Sequence, residues 1–378
     1  MTPARTTTVV EPFATSVRRG TPLLWATGAG SMLTARLGWG ERFRAEASGP
    51  RADVVAFVAG AFADDSAATS VLIVPEVLGT WRGGVLTLHG TDGVPVPTEA
   101  AEFEELDVRS GRLTREGYRR AVVAAVRRIE AGEVEKVVLA RDLEATAPDP
   151  IDVSAVLARL QEANPGSWTF HVDGLIGSSP ELLVSVVGRR VFSQALAGSA
   201  IVTGDVHTDD LTATRLAASA KNHAEHGYAA RSVVDRLATV AHVSAVDPRV
   251  VRFPRIMHLA TDISGVLHEP LSALQVAGIV HPSAAVCGTP TDVAASVLAE
   301  LEGFDRGRYA GPVGWVDAAG DGEFAIALRC GQVGDGGRSV RLFAGGGVVA
   351  GSVPNEELAE TAQKFLAMYE ALSPVARP

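Results

Sequence analysis

The chain has 378 residues, 47% of them hydrophobic and 21% charged, with a formal net charge of −10. That balance describes a globular protein with a large core, as one large domain or two of ordinary size. No basic block or Arg/Lys stripe is present, which argues against a nucleic-acid binder, and an anionic substrate would need locally placed cations or a metal.

No stretch reaches the roughly 18 uninterrupted apolar residues of a membrane span. The opening "MTPARTTTVVEPFATSVRRG" lacks the apolar core of a signal peptide. Cys287 and Cys330 give no disulfide framework and read as free structural thiols in a reducing compartment. A cytoplasmic protein without a membrane partner is expected.

In chain order, residues 1–111 mix short apolar runs such as "ADVVAFVAGAFA" and "ATSVLIVPEVLG" with Gly- and Asp-rich turns, which predicts strands and hairpins. "TREGYRRAVVAAVRRIEAGEV" has helical spacing from Thr114 and ends at Gly132. A strand in "VEKVVLARDLEAT", a helix around "DVSAVLARLQEANP" and short strands from Trp168 to about Leu196 follow. "AKNHAEHGYAARSVVDRLA" predicts a helix from Ala220 to Ala238, with further helices in "LSALQVAGIV" and "DVAASVLAELE". Strands "PVGWVDA", "GEFAIALRCGQV" and "SVRLFAGGGVV" precede a last helix, "PNEELAETAQKFLAMYEAL". Strands cluster and helices intersperse without regular βαβ alternation, so the predicted class is α+β. With no linker, residues 1–378 read as a single domain.

The polar residues divide by face. Successive helix residues turn by about 100°. In the helix from Ala220, this puts His223 and His226 broadly toward the apolar face of Ala230, Val233, Val234 and Leu237. Glu225 falls on a flank with Ala218, Lys221, Ala229 and Ser232. A zincin needs His-Glu-x-x-His, whereas these histidines are three apart with no cysteine cluster, so hydrogen-bonded structural roles suit them better. Glu225 is either a solvated flank residue or a carboxylate with room for a ligand.

In the last helix, Leu358, Ala362, Phe365, Leu366, Tyr369 and Leu372 form the core face, and Glu357, Glu360 and Lys364 line a flank. Glu360 and Lys364 read either as a surface pair worth about 0.2–0.5 kcal/mol or as part of a site where carboxylates hold a hard cation. Oxygen-only ligands would select magnesium.

Alternation puts Lys136 on one side with Val134, Val138 and Ala140. There it is either desolvated toward a usable base or snorkels to solvent. Arg329 would share a face with Ala325 and Ala327, either clasping a carboxylate in two-pronged fashion or forming a buried ion pair. "AGGGVVAGS" lacks both the P-loop ending and the dinucleotide spacing, and its backbone could instead approach a small anion.

These pieces fall in a recognisable order. "KVVLAR" at Lys136, "SSPELL" at Ser178, "LAGSA" at Leu196, "KNHAEH" at Lys221 and "HLATDISG" at His258 come first. "HPSAAVCGTP" at His281, "ELEGFDRGRYAGPVGW" at Glu300, "GDGEFAIALRC" at Gly320, "LFAGGGVV" at Leu342 and "ETAQK" at Glu360 complete the series. The chain resembles the chorismate-utilising enzymes, which include isochorismate, salicylate, anthranilate and aminodeoxychorismate synthases. The motif-rich portion is 112–372, and the β-rich 1–111 resembles the family only loosely. Asn222 stands for a common aspartate in "KDxxEH", Ser283-Ala284 for Thr-Pro, and Gly346 for the alanine of "AGAGIV".

The resemblance implies a two-sheet sandwich flanked by helices and a magnesium-dependent chorismate site. It makes Glu225 and Glu360 metal ligands, with Glu357 nearby. Arg329 and Lys364 would hold substrate carboxylates, helped by Gly198, Thr289 and the backbone from Gly345 and Gly346 to Gly347. His258 would face the substrate ring.

Family members that use water have a lysine at the place of Lys136, whereas amine users typically have glutamine and take ammonia from a glutaminase. The resemblance therefore implies that Lys136 takes a proton from water attacking C2. Glu181 of "SSPELL" would protonate the departing C4 hydroxyl. "AVCGTP" resembles the isochorismate-forming members of the siderophore type. Elimination of pyruvate to give salicylate, or chorismate binding without catalysis, are the alternatives. A monomer with no glutaminase subunit is expected, its product feeding siderophore or menaquinone synthesis.

Overall fold

A computed structural model describes residues 55–73, 106–334 and 336–373, together with the backbone of five further strands within residues 5–89. Strands β1 (Arg5–Thr8), β2 (Pro22–Thr27), β3 (Ser31–Arg36), β4 (Val55–Ala59), β5 (Val71–Ile73), β6 (Val77–Arg82), β7 (Val85–His89) and β8 (Asp107–Ser110) precede helix α1 (Arg115–Glu130). Then come β9 (Lys136–Thr146), α2 (Val153–Ala163), β10 (Trp168–Val172), β11 (Leu175–Ser179), β12 (Leu182–Val187) and β13 (Arg190–Ile201). Helices α3 (Val206–Ala218) and α4 (Ala220–Ala238) lead to β14 (Ala241–Ala245), β15 (Arg249–Arg252) and β16 (Ile256–Leu267). The last part holds α5 (Ala273–Val280), β17 (Gly288–Thr289), α6 (Thr291–Glu302), β18 (Pro312–Asp317), β19 (Gly322–Ile326), β20 (Cys330–Val333), β21 (Ser339–Val348) and α7 (Pro354–Leu372).

Among the described residues the strands form two antiparallel sheets. The larger runs β1-β7-β6-β3-β2-β10-β11-β20-β21-β9-β17, with β8 beside β9. The smaller runs β14-β16-β13-β12-β19-β18-β4-β5, with β15 beside β16. One core cluster joins Phe170 and Phe343 of the first sheet to Val184 and Phe324 of the second, and to Val233 and Leu237 of α4. A second packs Leu157 and Leu160 of α2 and Phe365 of α7 on Leu342. A third sets Tyr118 and Val122 of α1 and Val297 of α6 against Val137 and Leu139. The result is the α+β class that the sequence pattern implied, built as the two-sheet sandwich with flanking helices that the family resemblance implied. Truncating a buried leucine such as Leu157, 0% exposed, would cost about 2–5 kcal/mol.

Local chemistry sets the element bounds. The Thr114 hydroxyl accepts from Gly117 N–H at 3.1 Å to start α1. Ser272 and Gln275 form a reciprocal capping box on α5, and Gly303, with φ 64°, ends α6. The first seven residues of β9 are all buried, so that strand reads as an apolar run rather than an alternation.

Two differences from the sequence reading follow. Helix α3 was not foreseen: only Asp209 and Leu216 are buried on it, too thin a stripe to register as helical periodicity. Ser219 both ends α3 and caps α4, its ψ of 110° breaking the helical path. The run "GEFAIALRCGQV" is two strands rather than one: β19 belongs to the smaller sheet and β20 to the larger. Residues 327–329 carry the chain between the sheets, and Arg329 has φ 48°. The alternation expected for Arg329 therefore stops at Ile326.

Candidate active site

A cavity opens where β13, β21, α4, α7 and the crossover at Arg329 converge. Of the residues singled out in the sequence, Glu181, Gly198, Glu225, His258, Arg329 and Gly345 line it, with Glu360 and Lys364. Lys136, Gly346 and Glu357 sit directly beside that lining. Thr289 does not border the cavity; its carbonyl accepts from Glu135 N–H at 2.8 Å and its backbone pairs with Lys136. The backbone of Thr289 thus pairs with the start of β9, outside the cavity lining.

Lys136 is 1% exposed, which rules out snorkelling to solvent. Its Nζ lies 3.5 Å from Glu225 Oε1, so α4 delivers a carboxylate to the one lysine in the wall of β9. The glycines of β21 make this possible. A Cβ on Gly347 would come 2.4 Å from Glu225 Oε1 and 3.2 Å from Lys136 Cε, and one on Gly345 would come 2.9 Å from the Tyr309 hydroxyl. The glycine run admits side chains from three neighbouring elements. Gly198 does similar work in β13: its φ of 71° coincides with a register shift against β16 and lets Asn222 of α4 approach.

Glu181 lies between β11 and β12, its amide held by Ser179 Oγ at 3.2 Å and its carbonyl by Ile326 N–H at 3.1 Å. Burial pushes its carboxyl up to about 7, against the opposing pull of a backbone hydrogen bond and of Lys136, Lys364 and Arg329. Near neutrality it can therefore both hold and release a proton, as a general acid must.

Arg329 makes no side-chain hydrogen bond or ion pair among the described residues, leaving its donors for a ligand in the cavity. Lys364 Nζ donates to Gly345 O at 2.8 Å and lies 2.6 Å from Glu360 Oε1. His258 is 7% exposed. Its Nδ1 pairs with Ser199 Oγ at 3.0 Å, and its Nε2 makes no hydrogen bond of normal geometry. Burial, then Arg329 and Lys364, push it down to about 3, so the imidazole is neutral at working pH.

The two histidines of α4 divide. His226 is buried, bonds Thr261 Oγ at 2.8 Å and is pushed down to about 4 by burial, a structural residue as read from the sequence. His223 does not lean into the core. It is exposed, and its Nε2 meets Ala217 O at 2.7 Å, closing the end of α3.

Three carboxylates, Glu225, Glu357 and Glu360, could serve as donors to a metal. Burial pushes Glu357 up to about 7, with repulsion from Glu360 and Glu225 adding to it. That crowding of negative charge is what a hard divalent cation relieves, so the chemistry of the residues fits magnesium. Among the described residues no three His, Cys, Asp or Glu side chains form a ready-made cage. Glu225 and Glu360 are each turned to a lysine instead.

Sequence reasoning missed Tyr309, Ser199 and Leu328, all in the wall. Tyr309 stacks on Phe343 with ring centres 5.1 Å apart and the planes 9° from parallel. The only signal for it was a tyrosine inside the glycine-rich "RGRYAG".

A model of the family described as "Chorismate binding enzyme" matches residues 96–373. The chain belongs to the chorismate-binding enzymes. It is 37% identical over 336 residues to isochorismate synthase DhbC of Bacillus subtilis, covering 83% of this chain and 80% of that protein. To isochorismate synthase EntC of Escherichia coli it is 38% identical over 278 residues, covering 71% of this chain and 66% of that one. The solved structure of MenF, the menaquinone-specific isochorismate synthase of E. coli, superposes with a TM-score of 0.82 at 23% identity, covering 98% of this chain and 95% of that one. The last of these speaks to the fold alone. Among the described residues, no helix is long and apolar enough to cross a membrane.

Proposed function

We propose that this protein converts chorismate to isochorismate in a magnesium-dependent reaction, adding water at C2 with loss of the C4 hydroxyl. The observation that carries this reading is the company Glu181 keeps. A buried carboxyl pushed up to about 7 shares one cavity with Arg329, whose guanidinium has no side-chain partner among the described residues, and a fully buried lysine stands beside that cavity.

In the proposed reaction Arg329 and Lys364 hold the carboxylates of chorismate, the guanidinium by two parallel hydrogen bonds. Neutral His258 faces the ring and offers a hydrogen bond without adding charge. Lys136 takes a proton from the water that attacks C2, and Glu181 gives a proton to the hydroxyl leaving C4, so the ring double bonds shift in one direction. Magnesium held by Glu225, Glu357 and Glu360 would supply positive charge at the ring carboxylate. Water as nucleophile requires no ammonia-delivering subunit. Residues 1–378 act as one working unit, with the chemistry in 112–372 and the product feeding siderophore or menaquinone synthesis.

Incubating the pure protein with chorismate and magnesium, and resolving the products by chromatography, tests the reading. Isochorismate alone is expected. Salicylate with pyruvate would shift the assignment to a salicylate synthase, and unchanged chorismate would leave a binding protein.

A further inference from the structure

The free edge of β9 carries a gap in its pairing. β17 covers Lys136 and Val137 at its start, and β8 covers the end from Leu143 onward. Between them the Val138 N–H still meets Cys287 O at 2.8 Å, but no described strand covers the Val138 carbonyl or the Ala140 N–H on this edge. A buried ion pair fills the space. Ala140 N–H donates to Glu302 Oε1 at 2.7 Å, and Arg306 Nη2 donates to Val138 O at 2.5 Å. Arg306 Nη1 donates to Val286 O at 2.8 Å, and its Nε closes the pair on Glu302 Oε2 at 2.8 Å. Both residues are 4% exposed, and the guanidinium lies 4.4 Å from the centre of the Phe62 ring.

Two charges at this depth lose their hydration and are weak evidence for stability alone. What they achieve here is connectivity. Buried backbone groups must find partners, and this pair satisfies one N–H and two carbonyls on separate segments. Val138 and Val286 both border the cavity, and Val138 is two residues along β9 from Lys136.

We propose that Glu302 and Arg306 are positioning residues, a clamp that fixes the Lys136 end of β9 against the Val286 wall of the cavity. The clamp sets where the proton-accepting amine stands relative to bound substrate, and it touches neither substrate nor metal. This inference rests on the reaction proposed above for its effect on rate, though not for its effect on structure.

The test uses Glu302→Gln and Arg306→Lys, with Leu157→Ala in the α2 core as a control for plain loss of stability. The clamp predicts kcat lower by about 10²-fold with KM for chorismate changed less than about threefold, because Arg329 and Lys364 are untouched. Hydrogen exchange read by mass spectrometry should speed up in peptides covering 134–141 and 283–288 and nowhere else. Leu157→Ala should melt earlier with kcat and those peptides unchanged. If either single variant fails to fold, Glu302→Met combined with Arg306→Met removes both charges together. That protein should fold and show the same fall in kcat.

A kcat within about twofold of the parent in the folded variants, or unchanged exchange in both peptides, would overturn the proposal. Exchange that speeds up as predicted in a protein whose parent leaves chorismate intact would remove the assigned reaction while upholding the clamp.

Discussion

Glu181 and Glu360 reach into one cavity from different elements, yet their carboxyls are held in opposite states. Glu181 has no cation bonded to it, and burial pushes it up to about 7. At Glu360 burial pushes the same way, but the Lys364 ammonium at 2.6 Å, helped by Arg329, holds the carboxyl below its ordinary range. Glu357, one helical turn earlier, has no such partner and rises to about 7. The dedicated lysine at i+4 thus decides whether a carboxyl in this site stands as an acid or as an anion fit for a metal or substrate role.

The largest expected effect comes from the base. Lys136→Ala should lower kcat by about 10³–10⁴-fold while chorismate still binds in a calorimetric titration. Unimpaired turnover would remove Lys136 from the mechanism.

Glu181→Gln should lower kcat by about 10²–10³-fold and should also sharpen the contrast through pH. The acid must carry its proton, so the parent's rate falls as pH rises through about 7, and the variant's residual rate lacks that limb. Stability follows the same titration. The folded value exceeds the ordinary carboxyl value, so the stabilisation is complete at low pH and is lost as pH rises through about 7. At pH 8 the Gln variant should therefore exceed the parent by about 2–4 kcal/mol in a denaturant titration.

Arg329→Ala should lower kcat/KM by about 10–150-fold, mostly through KM, as charge-assisted hydrogen bonds to a carboxylate are lost. Glu360→Gln should raise the magnesium concentration for half-maximal rate by about tenfold or more. Its stability trend is opposite to that of Glu181. The parent's advantage is present above the ordinary carboxyl value and lost as pH falls through the depressed one.

Gly346→Ala should do least. The new methyl would sit 3.4 Å from Glu357 Oε2 and 3.5 Å from the Tyr118 hydroxyl, ordinary contacts. A change in kcat within about threefold is expected.

What the sequence disclosed follows from how far each signal reaches along the chain. Helix α4 was legible end to end because its cap and its apolar stripe are local, and the structure places it at the predicted residues. Helix α3 was not, since two buried positions make no periodicity. The α+β class emerged from clustered strands and the two sheets from the family resemblance, but the crossing at Arg329 is invisible to alternation, which cannot report that a chain changes sheets.

In the site, a lysine among valines at Lys136 was readable from the residues themselves. Glu181 was not: its carboxyl is unusual only because strands distant in sequence bury it, and its motif alone pointed to it. The pairing of Glu302 with Ala140, 162 positions apart, likewise exists only in three dimensions.

The central claim is that solvent water, deprotonated in this cavity, becomes the new hydroxyl at C2 as the old one leaves C4. Running the reaction in water enriched in oxygen-18 and locating the label by mass spectrometry tests it directly. The account predicts isochorismate carrying the heavy oxygen at C2; product with only unlabelled oxygen there would contradict it.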